Sequence, residues 1–181
     1  MRSSIGSAVL LVGAVAGYIT GQQALGRAGQ VPVPDSKWVQ DILNPKDTYA
    51  LYAAGHFRST GLLPPSRATL LYTREVDEDG ASLRSSCSYQ LSSHEPEARW
   101  WSVNVAPAGG APVVASFTAR DAILTNDSDF SLTISKHASP GNWLQPNEFG
   151  AMRVILILNE PYTSVKAPGV ALPALKRLGC E

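Results

Sequence analysis

The chain has 181 residues, with 15 lysines and arginines against 15 aspartates and glutamates, so its formal net charge is zero. A chain that binds nucleic acid non-specifically usually carries a basic excess, and no Lys/Arg cluster replaces it here, so the composition argues against a nucleic-acid partner. The 15 glycines and 13 prolines predict many turns, which favours short strands over long helices.

The N-terminal segment predicts a membrane anchor. Residues from Ile5 to Leu25 carry no charge, and at about 1.5 Å per residue such a helix spans roughly 31 Å, the thickness of a bilayer core. Arg2 precedes the segment and slightly favours a cytoplasmic N-terminus. A cleaved signal peptide is the alternative, but Gln22 to Ala24 offers a poor cleavage site. We therefore predict a single transmembrane helix within residues 1–27, with the following domain on the oxidising side.

Small residues form a stripe on this predicted helix. Gly13, Gly17 and Gly21 are spaced four residues apart and so lie on one helix face. Such stripes let two transmembrane backbones approach closely, which predicts a helix-packing surface. A small-residue-rich anchor without a packing partner is the alternative.

A linker and one or two helices are expected next. Alternating prolines in Val31 to Pro34 favour an extended spacer. Asp35 can cap a short helix that ends near Leu43, which completes a linker and helix region over residues 28–46. A second helix is predicted from Asp47 to Arg58, because its apolar residues recur on one face. Residues 47–181 then form the folded domain.

Strand patterns dominate the rest of the chain. The predicted strands are Ala68 to Val76, Arg84 to Leu91, Arg99 to Ala106, Pro112 to Thr118, Asp129 to Lys136 and Met152 to Leu158. The last run is nearly all apolar, as in a strand buried on both faces or in a short helix, and Val154, Ile155 and Ile157 favour the strand. The acids of Asp77 to Gly80 predict a solvated hairpin turn, since the ligand spacing of a calcium loop is missing. The pattern indicates a mostly β, antiparallel, jelly-roll-like sandwich with one or two N-terminal helices.

The two cysteines, Cys87 and Cys180, form no CxxC pair, which argues against a zinc or redox motif. In an extracytoplasmic domain a structural disulfide between them is the favoured interpretation, and two inert buried thiols are the alternative. The bond would hold the C-terminus to a central strand.

Catalytic motifs for nucleophilic, metal or nucleotide chemistry are missing from the sequence. His56, His94 and His137 are scattered and show no ligand spacing, so we expect no metal site, no cofactor and no enzymatic activity. A hydrolase with an unrecognised site would require His94 or His137 to lie near a serine or a carboxylate.

Tryptophans are the most specific candidates for contacts with other molecules. Trp100 and Trp101 are adjacent in a predicted strand, so one points inward and the other outward. Asn142 and Trp143 lie in Ser139 to Leu144, a predicted aromatic-tipped loop that either holds a ligand or closes one end of the sandwich.

Several segments together resemble a known family. They are Cys87-x-Tyr89, Ala98 to Ser102 (ARWWS), Phe130 to Ile134, Pro140 to Leu144 (PGNWL) and Arg153 to Leu158. From about Tyr49 to Cys180 the chain resembles the bacterial family called domain of unknown function 1214. The resemblance implies a jelly-roll-like sandwich, and because the family has no settled activity it assigns no catalytic residues here. The chain is similar to the short, membrane-anchored form, in which the companion domain of unknown function 1254 is a separate polypeptide.

The predicted membrane anchor and the family resemblance together lead to one main functional hypothesis. We expect an accessory protein of the bacterial inner membrane, with a periplasmic domain that docks a protein partner, such as a separate companion-domain protein. The alternative is a periplasmic module that binds a glycan or a lipid. Trp100, Trp101, Asn142 and Trp143 are the predicted contact residues in either case.

Overall fold

The computed structural model describes residues 12–19, 30–41, 68–109, 112–162 and 172–180. Residues 12–19 are helical, and all eight are exposed. Within the described ranges, no helix is both long enough and apolar enough to span a membrane. The predicted anchor lies mostly outside these ranges, as does Gly21.

Ten strands and one short 3-10 helix, Ala119–Asp121, make up the described domain. The strands are β1 (Gln30–Pro32), β2 (Val39–Asp41), β3 (Thr69–Arg74), β4 (Cys87–His94), β5 (Ala98–Pro107), β6 (Ala115–Thr118), β7 (Asp129–Ile134), β8 (Asn142–Leu144), β9 (Met152–Pro161) and β10 (Ala174–Cys180). Each strand predicted from the sequence is present, with shifted ends.

The strands form two sheets. Six of them are ordered β1-β2-β3-β9-β5-β6, and the other four are ordered β10-β4-β7-β8. All pairs are antiparallel except β7 and β8, which run parallel, so the second sheet is mixed rather than purely antiparallel as expected. The structure confirms a mostly β fold of two sheets, and the jelly-roll connectivity stays a prediction.

Side chains alternate between the two faces of each strand, and those that point inward form the core between the sheets. In β9 the side chains of Met152, Val154, Leu156 and Leu158 are buried against the four-stranded sheet. Ile155, one residue out of phase, is also fully buried on the other face of the same strand. The structure thus confirms the prediction that this apolar run is a strand covered on both faces.

The predicted helix from Asp35 to Leu43 is wrong. Asp35 has a φ of 54° and stands in the turn between β1 and β2. Ser36 Oγ accepts a hydrogen bond from Trp38 N at 3.0 Å, a local turn contact rather than a helix cap. Val39–Asp41 then pairs with β3. Tertiary pairing with an apolar strand therefore overrides the local capping signal.

The predicted spacer around Val31 to Pro34 is extended, but its first part is an edge strand. β1 pairs with β2 and forms one edge of the six-stranded sheet, where Pro32 needs no ladder partner for its nitrogen. The segment thus belongs to the sheet. The second predicted helix, Asp47 to Arg58, lies outside the described residues together with His56.

The turn predicted at Asp77 to Gly80 is present, and Gly80 takes a φ of 83° that suits glycine. Asp77 is not solvated, however, since only 1% of its surface is exposed. Its Oδ1 accepts hydrogen bonds from Asp79 N and Ala81 N at 3.1 and 2.9 Å, and its Oδ2 lies 2.9 Å from Arg177 Nε. Asp77 therefore links the turn to β10 through its contact with Arg177.

The predicted disulfide between Cys87 and Cys180 is confirmed. The two cysteines face each other across the β4–β10 pair. The bond closes the C-terminal strand onto the four-stranded sheet, and the described residues contain no free cysteine.

Candidate functional site

The adjacent tryptophans of β5 point to opposite faces, as predicted. Trp101 is 1% exposed, and its ring stacks on Phe130 with 4.8 Å between the centroids. The ring centroid of Phe117 lies 6.2 Å from that of Trp101. Trp100 is 40% exposed on the outer face of the six-stranded sheet. Of this pair, Trp100 is therefore the residue that an external molecule can reach.

Charged and aromatic residues lie next to Trp100 in the chain or at the end of the neighbouring strand β9. Arg99 Nη1 lies 2.9 Å from Glu160 Oε2, and both side chains are mostly exposed. Tyr162, which is 73% exposed, follows β9 and is held by a backbone hydrogen bond from its N to Glu97 O at 2.9 Å. We name Arg99, Trp100, Glu160 and Tyr162 the Trp100 patch.

Asn142 and Trp143 lie in a strand rather than at a loop tip. Gly141, with a φ of 81°, makes the turn, and Asn142–Leu144 forms β8. The buried Asn142 amide accepts from Ile123 N at 2.8 Å and donates to Ile123 O and Ser131 O. This amide therefore fixes the backbone of neighbouring segments, and its predicted ligand contact stays a prediction.

The Trp143 ring is half-buried and held in place. Its Nε1 donates to Ser135 O at 3.0 Å and to Ser135 Oγ at 3.2 Å. The strand register aligns its side chain with those of three polar residues across the four-stranded sheet, in the order Lys176, Gln90, Thr133 and Trp143. Trp143 thus stands at the edge of a row of polar side chains.

Further small polar residues continue this outer surface. Gln90 Nε2 donates to Ser131 Oγ at 2.8 Å, and Ser92 pairs with Ser131 in the next row. Both serines are exposed. We name this surface, comprising Lys176, Gln90, Thr133, Trp143, Ser92 and Ser131, the polar face.

His94 lies at the end of the same sheet beside a carboxylate. Its Nδ1 is 3.0 Å from Asp129 Oδ1, with both side chains more than half exposed. Nucleophilic catalysis would also need a hydroxyl bonded to the imidazole. Across the described ranges, no hydrogen bond joins His94 to a serine. Likewise, no group of three His, Cys, Asp or Glu residues there is close enough to hold a metal ion.

Two buried charges that the sequence analysis missed lie on the outer side of the six-stranded sheet. Asp41 is 6% exposed and Arg153 is 9% exposed. Burial raises the pKa of Asp41, partly opposed by a hydrogen bond from Gln30 and the charge of Arg153. Burial likewise lowers the pKa of Arg153 against the charges of Glu75 and Asp41. An arginine inside the apolar run of β9 was the signal that could have revealed this pair.

Residues 68–163, just over half of the chain, match the family described as "Protein of unknown function (DUF1214)". The chain belongs to the DUF1214 family. The DUF1214 match includes the Trp100 patch and Trp143, whereas β1, β2 and β10 lie outside it. No curated protein matches this DUF1214 chain.

Two solved structures are similar to this DUF1214 chain. The VPA0106 protein from Vibrio parahaemolyticus has a TM-score of 0.56 and 17% identity, covering 65% of this chain and 32% of that one. An uncharacterized protein from Burkholderia cenocepacia has a TM-score of 0.48 and 14% identity, covering 62% and 30%. The chain thus spans about a third of the length of these proteins, and the VPA0106 likeness shows the fold alone.

Proposed function

We propose that this protein is a membrane-anchored accessory protein of the bacterial envelope whose periplasmic β domain docks a protein partner through the Trp100 patch. The observation that carries the proposal is Trp100, a large aromatic side chain 40% exposed on the outer face of β5. A separate companion-domain protein is the partner that best suits this arrangement.

The composition of the patch supports docking. Trp, Tyr and Arg are the residue types that most often dominate binding energy in protein interfaces, and the patch holds one of each. Strand pairing with β9 positions Trp100 opposite Asn159. Its backbone is therefore ordered before a partner binds, which lowers the entropy cost of association.

The N-terminal helix supports the anchored placement. Residues 12–19 carry no charge, and Val12, Val15, Tyr18 and Ile19 are each at least half exposed. An apolar helix exposed all round is stable in a bilayer rather than in water. We place the N-terminus in the cytoplasm and the β domain in the periplasm, where the Cys87–Cys180 disulfide persists.

The test is a pull-down of the full-length chain from its native membrane in mild detergent, with mass spectrometry of the retained proteins. We expect one stoichiometric partner, which Trp100→Ala loses by at least tenfold, because truncation of a central interface tryptophan costs about 2 kcal/mol or more. Ile123→Ala is the matched control, since Ile123 is 66% exposed but lies outside the patch. A chain recovered alone, or equal loss from both variants, contradicts the docking function.

Glycan or lipid binding is the second candidate, and the polar face favours it. Its hydroxyl and amide groups can exchange hydrogen bonds with sugar hydroxyls, and the fixed Trp143 ring supplies an amphipathic contact surface at the edge. We expect envelope glycans to change the tryptophan fluorescence saturably and Trp143→Ala to remove the change. A linear, variant-independent response contradicts this function.

A further inference from the structure

A cavity lies at the side of the sandwich where β1 and β10 form the sheet edges. Its volume is about 590 Å³, within the usual range of small-molecule sites. Its walls come from the β1–β2 turn at residues 33–38, from Arg74 and Glu78 near the end of β3, and from residues 172–174 at the start of β10. Three segments far apart in sequence therefore converge on one cavity.

Arg74 is a buried charged residue of the cavity wall. Only 2% of its surface is exposed, and its Nε donates to Val76 O at 2.7 Å. Its Nη1 donates to Glu78 Oε1 at 3.0 Å and to Pro173 O at 3.4 Å. Its Nη2 is buried and has no hydrogen-bond partner. A cationic donor without an acceptor is costly inside a protein, and the described residues provide no acceptor for this nitrogen.

Three polar groups next to Arg74 are already engaged, namely Trp38 Nε1, Pro173 O and Glu78 Oε1. Trp38 Nε1 donates to Pro173 O at 2.8 Å, and the Arg74 guanidinium stands 5.8 Å above the Trp38 ring centroid. Glu78 Oε1 also accepts from Leu175 N at 2.8 Å. Among the described residues that line the cavity, Arg74 carries the buried donor without a hydrogen-bond partner, so a ligand with a hydrogen-bond acceptor would match it.

The charges and apolar side chains of the cavity lining limit the class of ligand further. The lining contains two cations, Arg74 and Lys37, and two acids, Glu78 and Asp35, so it does not favour a dianion. A single carboxylate makes a charge-assisted hydrogen bond to a guanidinium, which is stronger than the bond a neutral carbonyl makes. Val33, Pro34 and Leu172 offer apolar contacts for the rest of the molecule.

From this geometry we infer that the cavity binds a small organic carboxylate, with its oxygen on Arg74 Nη2 and its apolar body against the β1–β2 turn. Nη2 itself has almost no accessible surface, so the turn must shift slightly to admit the oxygen. The turn is suited to this, because Pro34, Asp35 and Lys37 are exposed and β1 is an edge strand. This site is separate from the Trp100 patch and from the polar face.

The experiment titrates the full-length chain in a nonionic detergent with cinnamate, and with cinnamamide as the neutral probe of the same shape. Binding is followed by calorimetry. We expect saturable binding of cinnamate at least tenfold tighter than that of cinnamamide. Linear heats for both probes, as for partition into micelles, or equal affinities for the two, overturn the proposal.

Two variants locate the site. Lys37→Glu reverses a charge at the exposed turn and is expected to weaken cinnamate about tenfold, whereas Arg120→Glu makes the same charge change at an exposed position outside the cavity and leaves binding unchanged. Arg74→Lys removes the Nη2 donor and is expected to weaken cinnamate by tenfold or more. Should Arg74→Lys fail to fold, the comparison of Lys37→Glu with Arg120→Glu still decides. Equal effects of these two charge-reversal variants overturn the assignment.

Discussion

At the scale of single residues, exposure and hydrogen bonding separate structural side chains from available ones. Trp101 and Asn142 make contacts within the fold, the first through its ring and the second through hydrogen bonds to the backbone. Trp100 is left partly exposed on its strand. Neighbouring sequence positions therefore carry different roles, which follow from the alternation of side chains along a strand.

Glu78 gives a pH-dependent prediction at this scale. Burial alone would raise its pKa, but hydrogen bonds from Leu175 N and Arg74 and the charges of Arg74 and Lys37 lower the pKa below its ordinary value of 4.5. A lowered pKa in the folded state stabilises the protein above pH 4.5, and that contribution is lost as pH falls through the folded pKa.

We therefore expect Glu78→Gln to be less stable than the natural chain at neutral pH, with a difference that shrinks as the pH drops below 4.5. Urea unfolding at a series of pH values measures both free energies of unfolding. A difference that stays constant across this range would show that the carboxylate charge does not stabilise the fold.

At the scale of elements, the C-terminal strand is held by several unrelated contacts. β10 pairs with β4, carries the disulfide to Cys87, and places Arg177 against the buried Asp77. The pairing and the covalent bond act on the same strand, so β10 closes the edge of the four-stranded sheet. An edge strand without such ties would fray first.

Removal of the disulfide is expected to destabilise the domain. The bond joins cysteines separated by 93 positions, and loss of a native disulfide typically costs about 2–4 kcal/mol, chiefly because the unfolded chain becomes less constrained. The double variant Cys87→Ala with Cys180→Ala should show this loss in urea unfolding. A reducing agent should lower the stability of the natural chain and leave the double variant unchanged; an effect on both would contradict the assignment.

At the scale of the whole molecule, the proposed function requires that the β domain be held at a membrane. The two sheets form one core, to which residues from both contribute, so the domain presents the Trp100 patch, the polar face and the cavity as separate surfaces of one body. An anchor restricts which of these surfaces can meet partners in the membrane and which meet soluble ligands.

The anchor itself is tested by extraction. We expect the full-length chain to stay in the membrane pellet in alkaline carbonate, and a chain that starts at residue 28 to enter the supernatant, because burial of about 20 apolar residues in lipid resists such treatment. Release of the full-length chain would refute the transmembrane placement.

The glycine stripe gives a separate prediction for the helix. A Cβ added at Gly13 or Gly17 meets no described atom within 4 Å beyond its chain neighbours and the helix's own backbone, so Gly17→Leu should leave the β domain intact. It should reduce helix association in a membrane reporter assay, since close backbone approach needs small residues. Ala16→Leu, one position off the stripe, is the control, and equal association of both variants would contradict a packing role.

Prediction from the sequence succeeded where a local residue pattern depends directly on which side chains are buried. The continuous apolar run of β9, the alternation in β7 and the paired cysteines were read correctly, because side-chain period and hydrophobicity directly record which faces are buried. It failed at Val39–Asp41, where a capping signal favoured a helix but pairing with β3 made a strand.

By itself, the sequence determined the class of fold, the positions of the main strands and the opposite orientations of Trp100 and Trp101, since these depend on local periodicity. Only the tertiary structure decided which strands are neighbours and which polar atoms stay unmatched. The pairing of β3 with β9, and the meeting of Arg74 with the β1–β2 turn and β10, join residues far apart in the chain. Such long-range contacts depend on the packing of the whole core, and no local pattern encodes them.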